Sequence, residues 1–398
     1  MQASRRTGSA DTGSRTDSGR ACTRRLPQAL FLGSAYAGHA TRFVNLERNV
    51  ARDGRFDATF QRVTGWKHGG LIERATVFPK GLRGRVRATL EAASFARLPR
   101  PDVIWTSASE VLLPYAWAQA GCLRRPLILD LDATRTQIEE MAPHYGDGQR
   151  PGSFHDRVAR SRERLLWSSV SLFTPWSNWA AHGLRQQGVD SSRIEVIPPG
   201  VDLDRWEPTV RSIPEARRIR LLFVGGDFAR KGGNLLLDVL RSEVGRDFEL
   251  DIVTRDPVQE SSNVRVHRLE SDDRALSELF GSADAFVMPS LAECFGLATV
   301  EAMAAGLPVI VSDRGGVADI VETGRTGFIV EPNQNDLAAV LRSLACNRSW
   351  LPTLGREGRK VAERRFNSSV NDARILDRIE ALAEKFASHD PGHTRTSG

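Results

Sequence analysis

Short apolar runs alternate with helical periodicity along almost the whole chain. Runs at 28–33 (Gln-Ala-Leu-Phe-Leu-Gly), 102–106, 126–130, 170–174 and 193–197 are largely apolar on consecutive positions rather than on every second one. That pattern predicts strands covered on both faces. Between them, 110–120 and 153–168 read as helices. Pro198-Pro-Gly-Val-Asp-Leu-Asp-Arg-Trp-Glu-Pro208 then interrupts regular structure, because proline and glycine disfavour both helix and sheet ladders. The alternation resumes with strands at 218–224, 248–254, 285–288 and 308–311 and helices at 232–240, 272–281 and 297–305. Helical segments at 354–365 and 371–387 close the pattern, the second with Ile375, Ile379, Leu382 and Phe386 along one face. Alternating strand and helix predicts an α/β protein of two doubly wound parallel-sheet domains in series. The expected bounds are 27–205 and 206–366, with a final helix at 367–388 and disordered tails at 1–26 and 389–398. The halves share this architecture without a detectable sequence repeat.

Composition narrows the function classes. A chain of 398 residues fits two ordinary domains, and 40 % apolar with 26 % charged residues is a soluble globular balance. The net charge of +6 and pI of about 9.5 suit nucleic acid, an anionic membrane face or a phosphorylated substrate. No dense Lys/Arg run with interleaved aromatics marks the folded part, so nucleic acid is not an expected partner. Four cysteines without a C-x-x-C pair give no recognisable zinc site and no disulfide framework, which points to a reducing cytoplasm. No apolar stretch reaches the roughly 18–20 residues of a membrane span. The first 25 or so residues lack the apolar core of a secretory signal, and Asp11 and Asp17 fit a transit peptide poorly. Gly81-Leu-Arg-Gly-Arg-Val-Arg-Ala-Thr-Leu90 reads as a solvated helix face, with peripheral membrane contact as the alternative.

Three strand-to-helix loops carry the candidate chemistry. In Pro289-Ser-Leu-Ala-Glu-Cys-Phe-Gly-Leu297 a buried strand gives way to a helix whose first N–H groups form an anion site. Cys294, Phe295, Gly296 and Leu297 supply those amides, and Glu293 and Glu301 stand eight positions apart to grip hydroxyls of an extended ligand. Alternatively, Glu293 only complements the helix dipole and Glu301 is an exposed helix residue. In Phe223-Val-Gly-Gly-Asp-Phe-Ala-Arg-Lys-Gly-Gly233, Gly225 and Gly226 permit close backbone approach, and Arg230 and Lys231 suit a diphosphate. Lacking a Ser/Thr after the lysine, it is no Walker loop, and a surface turn with two solvated cations also explains it. The third, Val309-Ile-Val-Ser-Asp-Arg-Gly-Gly-Val-Ala-Asp319, brings Gly315 and Gly316 near a ligand or forms a plain turn.

The Glu293-x7-Glu301 spacing within this flanking pattern resembles the signature of family 4 (group 1) glycosyltransferases. So do Lys231-Gly232, Gly315-Gly316, Thr326-Gly-Phe-Ile-Val330, Ser177-Asn-Trp179 and Ile197-Pro-Pro-Gly-Val-Asp202. The resemblance covers about 170–341 well. It implies the GT-B fold, two Rossmann-like domains facing a cleft, and retaining transfer of a hexosyl group from a nucleoside diphosphate sugar. Glu301 then binds the ribose hydroxyls, Glu293 the donor sugar, and the 295–297 amides sugar and phosphate. Lys231 neutralises the departing diphosphate. The acceptor is a glycan, a lipid-linked or a small molecule, and no metal or other cofactor is expected. Two departures stand out. Many relatives carry Arg where this chain has Gly226, a charge Arg230 replaces if it reaches. Relatives often place a His at the end of the 126–130 strand, where this chain reads Asp130-Leu-Asp132.

That Asp130-Leu-Asp132 also matches the metal-binding D-x-D of another glycosyltransferase fold, but so does Asp202-Leu-Asp204. In the GT-B reading, cations and helix dipoles take the metal's part. On the first domain, Gly33, Ser34, His39 and Arg42 are read on a loop after the first strand, facing the cleft with Asp130 and Asp132 as acceptor-side candidates. His39 is equally a histidine satisfied within the fold. A non-catalytic nucleotide-sugar binder, a scaffold-sharing phosphorylase and a basic membrane or nucleic-acid binder are the competing functions.

Overall fold

The computed structural model describes residues 25–34, 37–64, 70–74, 83, 86–87, 90–91, 101–109, 112, 125–144, 161, 163–208, 213–270 and 273–389. The predicted helices at 110–120 and 153–168, the Arg-rich 81–90 stretch and most of both tails lie largely outside these residues.

The first domain holds β1 (Gln28–Ser34), α1 (Ala37–Asp53), β2 (Asp57–Val63), β3 (Val103–Thr106), β4 (Leu127–Leu131), α2 (Arg135–Met141), β5 (Leu172–Pro175) and α3 (Asn178–Gln186). Its five strands run parallel in the order β2-β1-β3-β4-β5. Successive β1 residues serve opposite faces. Leu30 and Leu32 join a core with Leu129 and Phe173, while Ala29 and Phe31 join one with Trp105 and Ile128. Burial on both faces is why 29–32 are apolar at consecutive positions.

The second domain comprises β6 (Ile219–Val224), α4 (Gly233–Arg241), β7 (Phe248–Val253), β8 (Val264–His267), α5 (Arg274–Ser282), β9 (Ala285–Met288), α6 (Leu297–Ala304), β10 (Val309–Ser312), β11 (Gly327–Val330), α7 (Gln334–Cys346) and α8 (Trp350–Arg365). Its sheet is parallel in the order β11-β10-β9-β6-β7-β8. Chain order therefore reverses between β1 and β3 in one sheet and between β6 and β9 in the other. In open α/β sheets, ligands bind outside the carboxyl ends of the strands at such switch points.

The chain crosses between domains twice, and the crossings lie side by side. Val201 N–H donates to Phe366 O (2.8 Å), and Ser368 N–H donates to Val201 O (3.1 Å). The final helix, α9 (Ser368–His389), then packs on the first domain, with Ile375, Leu376 and Ile379 in the core of Phe31, Phe43 and Trp105. Charge follows the same seam: the buried Arg42 guanidinium pairs with Asp372 of α9 and lies 3.8 Å from Asp130. Asn49 donates to the other Asp372 oxygen at 2.6 Å.

Two expectations need correction. The strand expected at 193–197 is extended but forms a single bridge, Ile194 to Phe173. Glu195 and Ile197 donate to Phe173 O and Pro175 O, yet Pro175 has no N–H to return the next bond, and the ladder stops. The segment read as a loop over 33–42 instead ends β1 and enters α1 at Ala37.

Removing one partner from a buried ion pair typically costs ~3–5 kcal/mol, whereas an exposed pair contributes ~1 kcal/mol or less. Arg42→Ala should therefore lower urea-unfolding stability by several kcal/mol. Arg48→Ala, which breaks the solvent-exposed pair with Asp202, should change it by under ~1 kcal/mol.

Candidate functional site

The loops after β6 and β9 meet at the switch point of the second sheet. Lys231, from the first loop, forms an ion pair with Glu293 of the second, and both side chains are largely buried. Arg230 ties the loops together. Its carbonyl accepts from Leu291 N–H at 2.8 Å, its Nη1 donates to Ala292 O at 2.8 Å, and its Nε donates to Asp227. Part of its guanidinium therefore holds the loop carrying Glu293. The contact leaves no room for a side chain at Gly232, where φ is +80° and a Cβ would lie 2.0 Å from Pro289 O. A side chain at Gly225 would press on Lys231 Cγ, whereas a Cβ at Gly226 would meet no atom within 4 Å.

The third loop, a 3-10 turn over Gly315–Asp319, backs this arrangement. Gly315 has φ +68°, and a Cβ there would sit 1.8 Å from Glu293 O. Gly316 N–H donates to Cys294 O at 3.0 Å. Helix α6 begins after Gly296, at φ +92°, with no side-chain cap. The Phe295, Gly296 and Leu297 amides donate to no acceptor among the described residues, which gives a helix start suited to phosphate or hydroxyl oxygens. One turn on, Glu301 is half-buried, and burial pushes its carboxyl up to about 7 despite the opposing charge of Arg205.

From the first domain, the structure brings His39 and Asp132 to this loop but not Arg42 or Asp130. His39 Nε2 lies 3.3 Å from Asp132 Oδ1, and Asp132 also meets the Cys294 side chain across the cleft. Burial would raise the Asp132 carboxyl, but His39, the residue's own backbone and Cys294 outweigh it and hold it below its ordinary value. The His39 ring packs on Trp176, with centroids 4.5 Å apart, and Trp176 meets Phe295 edge-on at 5.7 Å.

The candidates Arg42 and Asp130 are corrected: both are buried and face the interior. Arg42 sits between the Asp130 and Asp372 carboxylates. Asp130 accepts from Trp176 Nε1 at 2.6 Å and Thr174 Oγ1 at 2.8 Å, so it orients the indole that supports His39. Gly33 packs under the Phe43 ring, and Ser34 N–H donates to Ser107 Oγ at 3.1 Å. Sequence reasoning missed Trp176 and Asp319. The latter's Oδ2 accepts from Trp179 N–H at 2.9 Å and links the third loop to α3. Their signal was position alone, each flanking a motif already noted.

The Glu301 shift has a sign. With a folded value of about 7 against an ordinary 4.5, the native state holds a proton that the unfolded chain releases between those pH values. Its stabilising contribution is full below about 4.5 and is lost as pH rises through about 7. Glu301→Gln should therefore raise Tm relative to the native protein at pH 8 and leave the difference near zero at pH 4.5, as read by thermal unfolding.

Comparison with known proteins places this geometry. Residues 25–200 match the family described as glycosyl transferase 4-like domain, and 218–347 match glycosyl transferases group 1. The chain is 30 % identical over 253 residues to D-inositol 3-phosphate glycosyltransferase of Pseudarthrobacter chlorophenolicus, covering 57 % of this chain and 59 % of that protein. It is 27 % identical over 361 residues to sulfoquinovosyl transferase SQD2 of Arabidopsis thaliana, covering 83 % and 68 %. Sucrose-phosphate synthase from Thermosynechococcus elongatus superposes with TM-score 0.74 at 18 % identity, over 91 % of this chain and 100 % of that one. Anabaena HepE in complex with UDP-glucose superposes with TM-score 0.65 at 18 % identity, over 89 % and 99 %. These structures share the GT-B fold. With a matching profile on each of its two domains, the chain belongs to the group 1, family 4-like glycosyl transferases.

Proposed function

We propose that the protein transfers a hexosyl group from a nucleoside diphosphate sugar to an acceptor hydroxyl with retention of configuration, in the synthesis of cell-surface glycan, polysaccharide or glycolipid. The observation that carries this reading is the convergence of Lys231, Glu293 and the amide-bearing start of α6 at one sheet switch point, with Glu301 on the same helix. On donor binding, the diphosphate takes the place of the Glu293 carboxylate beside Lys231. Glu293 is then released to accept hydroxyls of the sugar, and the α6 amides face phosphate and sugar oxygens. Glu301 accepts the ribose hydroxyls, which favours its charged form.

As the C1–O bond to the diphosphate lengthens, negative charge grows on the leaving oxygens. Lys231 and the helix start stabilise that charge more than they do the ground state. The acceptor enters from the side of His39 and Asp132. Asp132 is engaged with His39 and Cys294, and the reading takes a front-face route in which the departing phosphate oxygen receives the acceptor proton. The HepE structures with UDP and UDP-glucose make a uridine donor a reasonable first trial.

A panel of UDP-, GDP-, ADP- and dTDP-sugars tests the proposal by slow donor hydrolysis and thermal stabilisation. One base should be selected, and the response should vanish in Glu301→Ala. Lys231→Ala should lower kcat by ~10²–10³-fold with a small change in Tm. Unchanged turnover in Lys231→Ala would sink its assigned role.

A further inference from the structure

A cavity between the domains, about 260 Å³ in volume, lies apart from the Lys231–Glu293 ion pair and is lined by groups from both domains and the second crossing. Three guanidinium side chains reach it: Arg364 and Arg365 at the end of α8, and Arg374 on α9. Arg364 makes no hydrogen bond or ion pair among the described residues. Arg365 uses one Nη on Asp319 O, and Arg374 uses one Nη both in an ion pair with the Glu195 carboxylate (3.2 Å) and in a bond to Val196 O. Each guanidinium carries five N–H donors, so donors remain on all three. Among the described residues Asp319 is the one carboxylate lining the cavity, and its Oδ2 accepts from Trp179 N–H at the start of α3. Trp176 and Phe295 give it an aromatic wall.

We propose that this cavity binds a small phosphomonoester whose phosphate is gripped by the arginines and whose organic part lies against Trp176 and Phe295. Forked guanidinium groups match phosphate oxygens two at a time. The volume is just below the ~300–1,000 Å³ of sites for drug-sized ligands and suits a compact metabolite. Because the walls come from both domains, an occupant fixes their relative placement. Because Phe295 belongs to the donor loop, the occupant also rests against the element that starts α6. The binding claim stands apart from the catalytic reading, since it needs no donor and no turnover.

The test uses the full chain and glucose 6-phosphate as the probe, with ionic strength held constant by sodium chloride, and reads thermal stabilisation. The native protein should show a saturable rise in Tm. Arg364→Gln, a change at an exposed and unpaired side chain, should raise the half-saturating concentration at least ~10-fold, the loss expected for one charge-assisted contact. Lys231→Ala should leave it unchanged. Absence of a saturable response, survival of the response in Arg364→Gln, or its loss in Lys231→Ala would each overturn the proposal, the last by assigning the anion to the donor site. Sedimentation with phosphatidic acid vesicles, without a response to the soluble ester, would assign a lipid headgroup and overturn it as well.

Discussion

The Lys231–Glu293 ion pair is the contact around which the candidate site of the second domain is arranged. It joins the loops leaving β6 and β9, the adjacent strands at which the sheet reverses its order. Close approach of those loops requires glycine at 232, and the third loop can back Glu293 only with glycine at 315. Backbone geometry and charge thus act together. Glycines with positive φ let three loops dock, and the docked loops hold a cation, a carboxylate and the open start of α6 within one crevice. An anion that displaces the Glu293 carboxylate from Lys231 exchanges one ion pair for another, so on the proposed function the site is arranged for a diphosphate before one arrives.

The first domain is held to this crevice from behind and from within. Behind, the paired crossings at Val201 and Phe366–Ser368 and the return of α9 make the two domains share chain as well as surface. Within, Arg42 lies between Asp130 and Asp372, and Asp130 in turn holds the Trp176 indole. Burial raises both carboxyls from their ordinary values, although the shared guanidinium opposes this. The chain of contacts ends at His39 and Phe295, where an interior charge network meets the cleft.

The sheet cores were legible from sequence because strands covered on both faces are apolar on consecutive positions, as 29–32 of β1 and the whole of β9 are. Three of the four edge strands, β2, β8 and β11, were not. β2, written Asp57-Ala-Thr-Phe-Gln-Arg-Val63, is only partly buried over most of its length and mixes polar with apolar positions. β8 and β11 are also edges, and each is only four residues long. In the site, spacing and glycine pattern singled out Lys231, Glu293 and Glu301, because those motifs are local in sequence. Arg42 and Asp130 were misplaced because both belong to an interior network: Asp130 accepts from Trp176 and Thr174, and Arg42 pairs with Asp372, 330 positions away. No local pattern carries that contact. Proline at 175 ended a strand that apolar content alone would have extended.

The most direct test of the account is a crystal structure of the protein with the nucleoside diphosphate that binds best. The account predicts the diphosphate between Lys231 Nζ and the Gly296–Leu297 amides, the ribose hydroxyls on Glu301, and the Glu293 carboxylate turned away from Lys231. A nucleotide bound elsewhere, or one bound with the Lys231–Glu293 pair intact and Glu301 untouched, would contradict it.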